Sequence, residues 1–297
     1  MIDRIGLARS RDYAVFDGDN TLWQHDVTEA MLVWLERRGL RSLDALPPML
    51  QPLKVDGHPS LWSYYRHLCR RSVDVGYLWV VQIFEGLSVG QLSEMLSDLL
   101  SSKAPLTTTE RIEGRTEPVE VWRPRPFAVQ ASLVNALQDA GLKVWVVSAS
   151  QEDLVRAMVA HPDAGFGLDP DRVCGVNLIL KGASPVIDCG AFSRARGQTA
   201  WRDPSWQDRV LSGTPVEPLT WYGGKVEGIR AWIDPDQAPF LVAGDSSNDL
   251  PMQQIADPRG VRLRVHPERD VDPGFAEPRS WPGATWVEVY ADELAPR

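Results

Sequence analysis

The stretch that decides the fold is YAVFDGDNT, residues 13–21. Its first four residues form a short apolar run, which is typical of a parallel strand buried on both faces. The run ends at Asp17, and Asp19 and Thr21 follow at alternate positions. Open α/β sheets bind ligands beyond the carboxyl ends of their strands. The spacing therefore predicts a functional site after this strand, although an acidic turn or helix cap is the alternative interpretation.

Further apolar runs indicate a sheet around this strand. They are KVWVVSA (143–149), RVCGVNLIL (172–180) and PFLVAGD (239–245). Helical periodicity over 127–140 ends at Gly141, and Ser150 with Asp153 resembles a capping box before a helix over 154–160. Alternation of strands and helices predicts an α/β fold with a doubly wound, mainly parallel sheet.

The segment between the first strand and that helix has a different pattern. Residues 28–38, 61–71 and 89–100 carry apolar residues at helical spacing. We therefore predict an inserted α-helical cap domain over 22–124, with a Rossmann-like catalytic core formed by 1–21 and 125–297. Gly, Pro, Ser and Trp are frequent in 182–218, which predicts an irregular excursion.

Composition limits the class of protein. The chain has 297 residues and a formal net charge of −9, which disfavours a nucleic-acid partner. The three cysteines have no zinc-ligand or disulfide spacing, so we expect reduced thiols. Neither an export signal nor a membrane span is apparent, so we expect a cytoplasmic protein with no membrane partner. The sequence does not predict the oligomeric state.

Three more segments follow the first in a fixed order. Ser148 closes the strand over 143–149, Lys225 stands in Gly-Gly-Lys before a helical segment, and GDSSND (244–249) ends the strand over 239–245. With Asp17-Gly-Asp-Asn-Thr, this ordered set resembles the four motifs of the haloacid dehalogenase (HAD) superfamily. A serine or lysine alone is more often structural, so the order carries the resemblance.

The resemblance implies a Mg²⁺-dependent phosphatase. In it, Asp17 is the nucleophile that forms an aspartyl-phosphate, and Asp19 is the general acid and base. Because phosphomonoesters are strongly anionic, an anionic nucleophile needs compensating positive charge. The resemblance assigns Thr21, Ser148 and Lys225 to phosphate binding. It assigns Mg²⁺ to the carboxylates of Asp17 and Asp245 and the backbone carbonyl of Asp19, with Asp249 in support.

A closer resemblance is to the phosphorylcholine phosphatase group. It is carried by DGDNTLWQHDVTEA from Asp17, WSYYRHLC from Trp62, VGYLWVVQIFEGLS from Val75 and TWYGGK from Thr220. A quaternary ammonium is best held by aromatic faces and a nearby carboxylate. The candidates are Trp23, Glu29, Trp62, Tyr64 and Tyr65. The chain departs from the group's pattern at two places: His58-Pro59-Ser60 replaces an acidic position, and GDSSND is more similar to the phosphoserine phosphatase form of the fourth motif. An ordinary buried helix face would also explain the spacing of the tyrosines.

The sequence thus predicts a phosphoric monoester hydrolase acting on a small phosphorylated metabolite, of which phosphorylcholine is one candidate. A phosphoserine or sugar-phosphate phosphatase, or a phosphotransferase that passes the aspartyl-phosphate to another acceptor, are alternatives within the enzymes. A catalytically silent binding module on the same fold is the non-enzymatic alternative.

Overall fold

The computed structural model describes residues 8, 11–52, 57–182, 188–197, 201–266, 283 and 285–294. A seven-stranded sheet forms its centre, and all neighbouring strands in it are parallel except the last pair at one edge. This confirms the predicted doubly wound, mainly parallel α/β fold. The strands of the described residues are β1 (Tyr13–Phe16), β2 (Trp23–Gln24), β3 (Leu106–Ile112), β4 (Arg115–Val121), β5 (Arg125–Pro126), β6 (Lys143–Gln151), β7 (Val173–Lys181), β8 (Val210–Val216), β9 (Leu241–Gly244), β10 (Val261–His266) and β11 (Thr285–Tyr290).

Helices cover the sheet and build the inserted segment. The helices of the described residues are α1 (Val27–Arg37), α2 (Leu61–Arg71), α3 (Val73–Gln82), α4 (Val89–Ser101), α5 (Ala128–Asp139), α6 (Glu152–Ala160), α7 (Gly190–Ala195), α8 (Pro204–Gln207), α9 (Gly223–Trp232), α10 (Leu250–Gln254) and α11 (Ala291–Leu294), with short 3₁₀ turns between some of them. In the described residues, no helix is long and apolar enough to cross a membrane.

The strand order β11-β10-β9-β1-β6-β7-β8 places β1 at the centre. All four residues of β1 are buried, because helices cover both faces of the sheet there. From β1 the chain adds β6 and β7 on one side and β9 and β10 on the other. The order therefore reverses between β1 and β9, and at such a switch point the loops after the two strands diverge and leave a crevice. Asp17 and Asp245 follow these two strands directly.

In its described residues, the inserted segment contains the α-helices α1 to α4, as its periodicity predicts, but it also contains a β-hairpin. Strands β3 and β4 pair antiparallel from Leu106↔Val121 to Ile112↔Arg115. A two-residue loop joins them, and both of its residues, Glu113 and Gly114, have positive φ (49° and 82°). A two-residue loop with positive φ at both positions has a backbone twist that matches the twist of the two strands it joins. The predicted helical cap therefore also contains a hairpin, over residues where Thr and Val favour strands.

The chain leaves and re-enters the core at one place. Strand β2 pairs antiparallel with β5, with Trp23 opposite Pro126 and Gln24 opposite Arg125. Both ends of the insert are thus held side by side next to the first strand. The domain boundaries at 22 and 124 stay a prediction.

Two local expectations differ from the structure. The excursion over 182–218 is partly regular, since it holds α7, α8 and β8, while 183–187 and 198–200 lie outside the described residues. Strand β8 pairs antiparallel with β7 at the edge of the sheet. The cap of α6 is Gln151, whose side chain accepts from the backbone N–H of Leu154 at 2.8 Å. Ser150 is therefore not the cap and is free for another role.

Candidate active site

A buried lysine joins two of the sequence motifs. Lys225, near the start of α9, is 1% exposed, and its Nζ donates to Oδ1 of Asp17 and to Oδ1 of Asp249, each at 2.6 Å. Burial by itself lowers the pKa of Lys225, but the two carboxylates raise it more, so the ammonium stays charged. The segment after β1, the start of α9 and the segment after β9 therefore meet at one cation.

Asp249 also shapes the loop after β9. Its Oδ2 accepts the backbone N–H groups of Asp245 at 3.0 Å and Ser246 at 3.1 Å. A side chain on Gly244 would collide with Asp249, so glycine is required for this close approach. Asp249 thus fixes Lys225 on one side and the backbone of Asp245 on the other.

An acidic cluster suited to a divalent cation lies beside this lysine. Oxygens of Asp17, Asp245 and Asp249 all lie within 4.8 Å of one another. Burial, followed by the charge of Asp249, raises the pKa of Asp17 to about 7 and raises that of Asp245 well above its ordinary value. Because Lys225 only partly offsets this repulsion, the oxygen-rich cluster fits a hard cation such as Mg²⁺.

Asp19 is held through both of its carboxylate oxygens. Oδ1 accepts the indole N–H of Trp23 and the backbone N–H of Val27, both at 2.7 Å, and Oδ2 accepts the hydroxyl of Ser150 at 2.6 Å. Burial, followed by the charge of Asp26, raises the pKa of Asp19 to about 7 in spite of these donors. A carboxyl that can be protonated or ionised near neutral pH suits acid and base work.

The predicted phosphate-binding hydroxyls lie in two different settings. Ser148 is fully buried, its Oγ accepts the backbone N–H of Ser150 at 3.1 Å, and it lies 3.5 Å from where a side chain on Gly18 would begin. It therefore borders the loop that carries Asp17. Thr21 is also fully buried, and its hydroxyl has no hydrogen-bond partner among the described residues.

A cavity of about 240 Å³ opens over these groups. Its lining has a core side with the acids and a cap side contributed by α1, α2 and α3. The lining residues are Asp17, Asp19, Asn20, Asp26, Thr28, Glu29, Tyr65, Tyr77, Val80, Ala149, Ser150, Asp245, Ser246 and Asn248. A space of this size suits a small molecule and not a macromolecule.

The aromatic and acidic residues proposed for the substrate separate into two groups. Glu29 and Tyr65 line the cavity, whereas the lining does not include Trp23, Trp62 or Tyr64. The Trp23 indole is buried against Asp19, and Trp62 donates to Oε2 of Glu110 at 3.0 Å. Tyr64 meets the ring of Trp79 edge-on, with centroids 5.2 Å apart, as the alternative of an ordinary helix face predicts.

Among the lining residues that the sequence did not identify as site candidates, Asp26, Tyr77 and Ser150 have side chains suited to a role in the site. Asp26 caps α1 by accepting the backbone N–H of Glu29 at 2.8 Å. Burial and the charge of Glu29 raise its pKa to about 7. An Asp directly before a helical pattern is a recognisable capping signal. Nothing in the local pattern distinguishes Tyr77 from the other aromatic residues.

The chain was compared with known proteins, and no family model matches it. A phosphorylcholine phosphatase of Pseudomonas aeruginosa is 37% identical over 242 residues, which cover 79% of this chain and 68% of that protein. A solved structure of a protein of unknown function from Anaerococcus prevotii has a TM-score of 0.61 at 16% identity and covers 89% of this chain and 81% of its own. Another solved structure, of a protein of unknown function from Bordetella pertussis, has a TM-score of 0.55 at 14% identity. It covers 93% of this chain and 99% of its own.

The two solved structures show the fold alone, because their sequence identity is low. The phosphorylcholine phosphatase of Pseudomonas aeruginosa shows the family as well, because more than a third of the aligned residues are identical over most of both chains. The order of the four motifs agrees with that relationship, and so do the contacts of Lys225 with Asp17 and Asp249 and the position of Ser148 next to Gly18. The chain therefore belongs to the HAD-type phosphatases, close to the phosphorylcholine phosphatase group, and is a phosphoric monoester hydrolase.

Proposed function

We propose that this enzyme hydrolyses a small phosphomonoester with a cationic alcohol, such as phosphorylcholine, through an aspartyl-phosphate on Asp17 and with Mg²⁺ as cofactor. The observation that carries the proposal is the cavity itself. Asp17, Asp19 and Asp245 line its core side, and Asp26, Glu29 and two tyrosines line its cap side. The phosphoryl group would lie at the core side and the cationic group of the alcohol at the cap side.

In the first step, an oxygen of Asp17 attacks phosphorus while the bond to the leaving alcohol breaks. The Lys225 ammonium, held at 2.6 Å from Asp17, compensates the charge that develops on the phosphoryl group. Asp17, Asp245 and the backbone carbonyl of Asp19 would hold Mg²⁺, which supplies further positive charge to the phosphoryl oxygens. The hydroxyl of Ser148 borders this end and is proposed to donate to a phosphoryl oxygen.

Asp19 handles the protons of both steps. It gives its proton to the leaving alkoxide, and in the second step it takes a proton from the water that attacks the aspartyl-phosphate. The products are the alcohol and inorganic phosphate, and Asp17 returns to its free carboxylate. A pKa near 7 serves both directions at neutral pH.

The cap side favours a cation. Asp26 and Glu29 bring two acidic groups to this end, and Tyr65 and Tyr77 bring aromatic rings. Burial, opposed by Arg66, raises the pKa of Glu29, so a positive charge on the substrate would stabilise its ionised form. Carboxylates together with aromatic faces are suited to an ammonium group.

A phosphoserine-like substrate is the second candidate, and one observation favours it. The guanidinium of Arg66 lies 3.8 Å from Oε1 of Glu29 and is partly exposed, so it could bind a substrate carboxylate beside the ammonium. Arg66 is not among the cavity-lining residues, which ranks this candidate second. One substitution distinguishes the two candidate substrates. Arg66→Ala should weaken turnover of phosphoserine and leave turnover of phosphorylcholine nearly unchanged.

The decisive experiment replaces the nucleophile. Asp17→Asn keeps the size of the side chain but removes the nucleophilic oxygen anion, so phosphate release should be lost while the fold is kept. Asp139→Asn, an exposed carboxylate at the end of α5, is the matched control. Turnover retained in Asp17→Asn would refute the covalent mechanism.

The substrate is tested by comparing kcat/KM for phosphorylcholine, phosphoethanolamine, phosphoserine and sugar phosphates. A large preference for a sugar phosphate would refute the cationic end of the cavity but not the hydrolase. Product analysis with added alcohols separates hydrolysis from phosphotransfer. The cytoplasmic location and the lack of a nucleic-acid partner remain predictions.

A further inference from the structure

Trp221 connects the cap to the core beside the cavity. It lies just before α9, is 7% exposed, and its indole N–H donates to Oδ1 of Asp74 at 2.7 Å. Asp74 belongs to the first turn of α3 in the cap. A hydrogen bond to an ionised acceptor is stronger than one between neutral groups. The contact therefore joins two parts of the chain that are 147 positions apart.

The same indole supports a cavity-lining residue. The ring of Tyr77 meets the ring of Trp221 edge-on, with centroids 5.8 Å apart and an angle of 81° between the planes. Tyr77 lies three residues after Asp74, so both side chains leave the same face of α3. Trp221 thus holds α3 by its hydrogen bond to Asp74 and supports the ring of Tyr77.

The segment around Trp221 is itself tied to the catalytic groups. Thr220 donates its hydroxyl to the backbone carbonyl of Ser148 at 2.6 Å, and the backbone N–H of Tyr222 donates to the side chain of Asn248. Lys225 follows within the next turn and contacts Asp17. Trp221 therefore projects from a segment that is fixed relative to the phosphoryl end of the cavity.

We propose that Trp221 is a positioning residue for the alcohol end of the substrate. Held by Asp74, its indole keeps Tyr77 at the cavity wall and sets the distance between the cap side and the phosphoryl end. The inference rests on the proposed function, because it takes the cap side of the cavity as the alcohol site. It assigns a role to Trp-Tyr-Gly-Gly-Lys beyond that of the lysine.

The test compares a substrate that reaches Tyr77 with one that does not. Trp221→Phe keeps an aromatic ring beside Tyr77 but removes the N–H, and Asp74→Ala removes the acceptor. For each variant we expect kcat/KM for phosphorylcholine to fall about tenfold, mainly through KM, because one hydrogen bond to a charged group is lost. Turnover of methyl phosphate and the inhibition constant of inorganic phosphate should stay within about twofold of wild type.

Two controls separate positioning from damage to the fold. Asp74→Asn keeps an acceptor oxygen but removes the charge, so its loss for phosphorylcholine should be smaller than that of Asp74→Ala. The double variant Asp74→Ala/Trp221→Phe should be no worse than the poorer single variant, since both remove the same bond. Equal losses for phosphorylcholine, methyl phosphate and phosphate inhibition, or no loss in either variant, would overturn the proposal.

Failure of the proposed function would look different. If the wild-type enzyme released no phosphate from any of these esters, the proposed hydrolysis would fail first. Choline binding, measured by calorimetry on the wild type and on both variants, would then decide the role of Trp221 by itself. Weaker choline binding in both variants supports the positioning role, and unchanged or absent binding rejects it.

Discussion

The hydroxyl of Ser150 donates to Oδ2 of Asp19 at 2.6 Å, and this bond makes the two oxygens of that carboxylate unequal. Oδ1 accepts from the indole of Trp23 and the backbone of Val27, groups that can only donate. A hydroxyl can donate or accept, so a proton on Asp19 belongs on Oδ2. In the proposed mechanism, Ser150 therefore marks the oxygen of Asp19 that would exchange protons with the substrate.

Removal of this hydroxyl should affect substrates according to their leaving group. In Ser150→Ala we expect kcat for an alkyl phosphate to fall about tenfold, because Asp19 is less well oriented as an acid. An aryl phosphate should lose little, since its leaving group needs less protonation. Ser150→Thr keeps a hydroxyl, and Ser132→Ala, on the exposed side of α5, is the surface control. An equal loss for both esters would contradict this role.

Binding of Mg²⁺ should stabilise the folded enzyme through Asp245. A cation that binds only the folded state adds about 2.7 kcal/mol to the free energy of unfolding at a hundredfold excess over its Kd. Thermal unfolding with Mg²⁺ and with a chelator should show a higher Tm with the metal. In Asp245→Asn that difference should shrink or vanish, whereas Asp139→Asn should keep it. An unchanged difference in Asp245→Asn would place the cation elsewhere.

Cation affinity should rise with pH around neutrality. Burial and the charge of Asp249 raise the pKa of Asp17 to about 7, so in the cation-free protein this carboxyl is partly protonated at neutral pH. A proton and a cation compete for the carboxylate, and below its pKa the apparent affinity changes up to about tenfold per pH unit. Calorimetric titration with Mg²⁺ at several pH values from 6 to 8 measures this. An affinity independent of pH would show that no proton is displaced.

Acid stability should depend on Glu152 at the start of α6. Its side chain is 1% exposed and pairs with Arg194 at 2.6 Å and Arg156 at 3.0 Å. Burial by itself raises the pKa of Glu152, but the two guanidinium groups lower it further, and the net shift is downward. A carboxylate with a lower pKa in the folded state stabilises above its unfolded pKa of about 4.3, and that stability is lost as pH falls through the folded value.

Glu152→Gln tests this balance. The substitution removes the carboxylate that pairs with Arg194, and it leaves Arg156 with Asp171 alone, at 3.4 Å. The free energy of unfolding at pH 7 should therefore fall by about 3 kcal/mol. The loss of stability between pH 6 and 3 should also become shallower than in wild type. Urea unfolding across this range measures both, with exposed Glu94→Gln as control. A variant as stable as wild type with the same acid dependence would rule out the ion pairs as a source of stability.

The sequence determined the fold class and the order of the proposed catalytic groups along the chain. Apolar runs buried on both faces predict parallel strands, and acids directly after such runs predict a site at the carboxyl ends. That is why Asp17, Asp19 and Asp245 could be named together before their distances were known. The sequence did not predict the hairpin of β3 and β4, because these two strands are rich in polar residues and contain no continuous apolar run.

Only the tertiary structure decided which side chains meet. The sequence offered four aromatic residues as candidates for the substrate pocket: Trp23, Trp62, Tyr64 and Tyr65. Of these, only Tyr65 lines the cavity. Ser150, Tyr77 and Trp221 reach their partners across large separations in the chain. Periodicity along one segment predicts which face of that segment is buried, but the neighbour against that face depends on how distant segments pack.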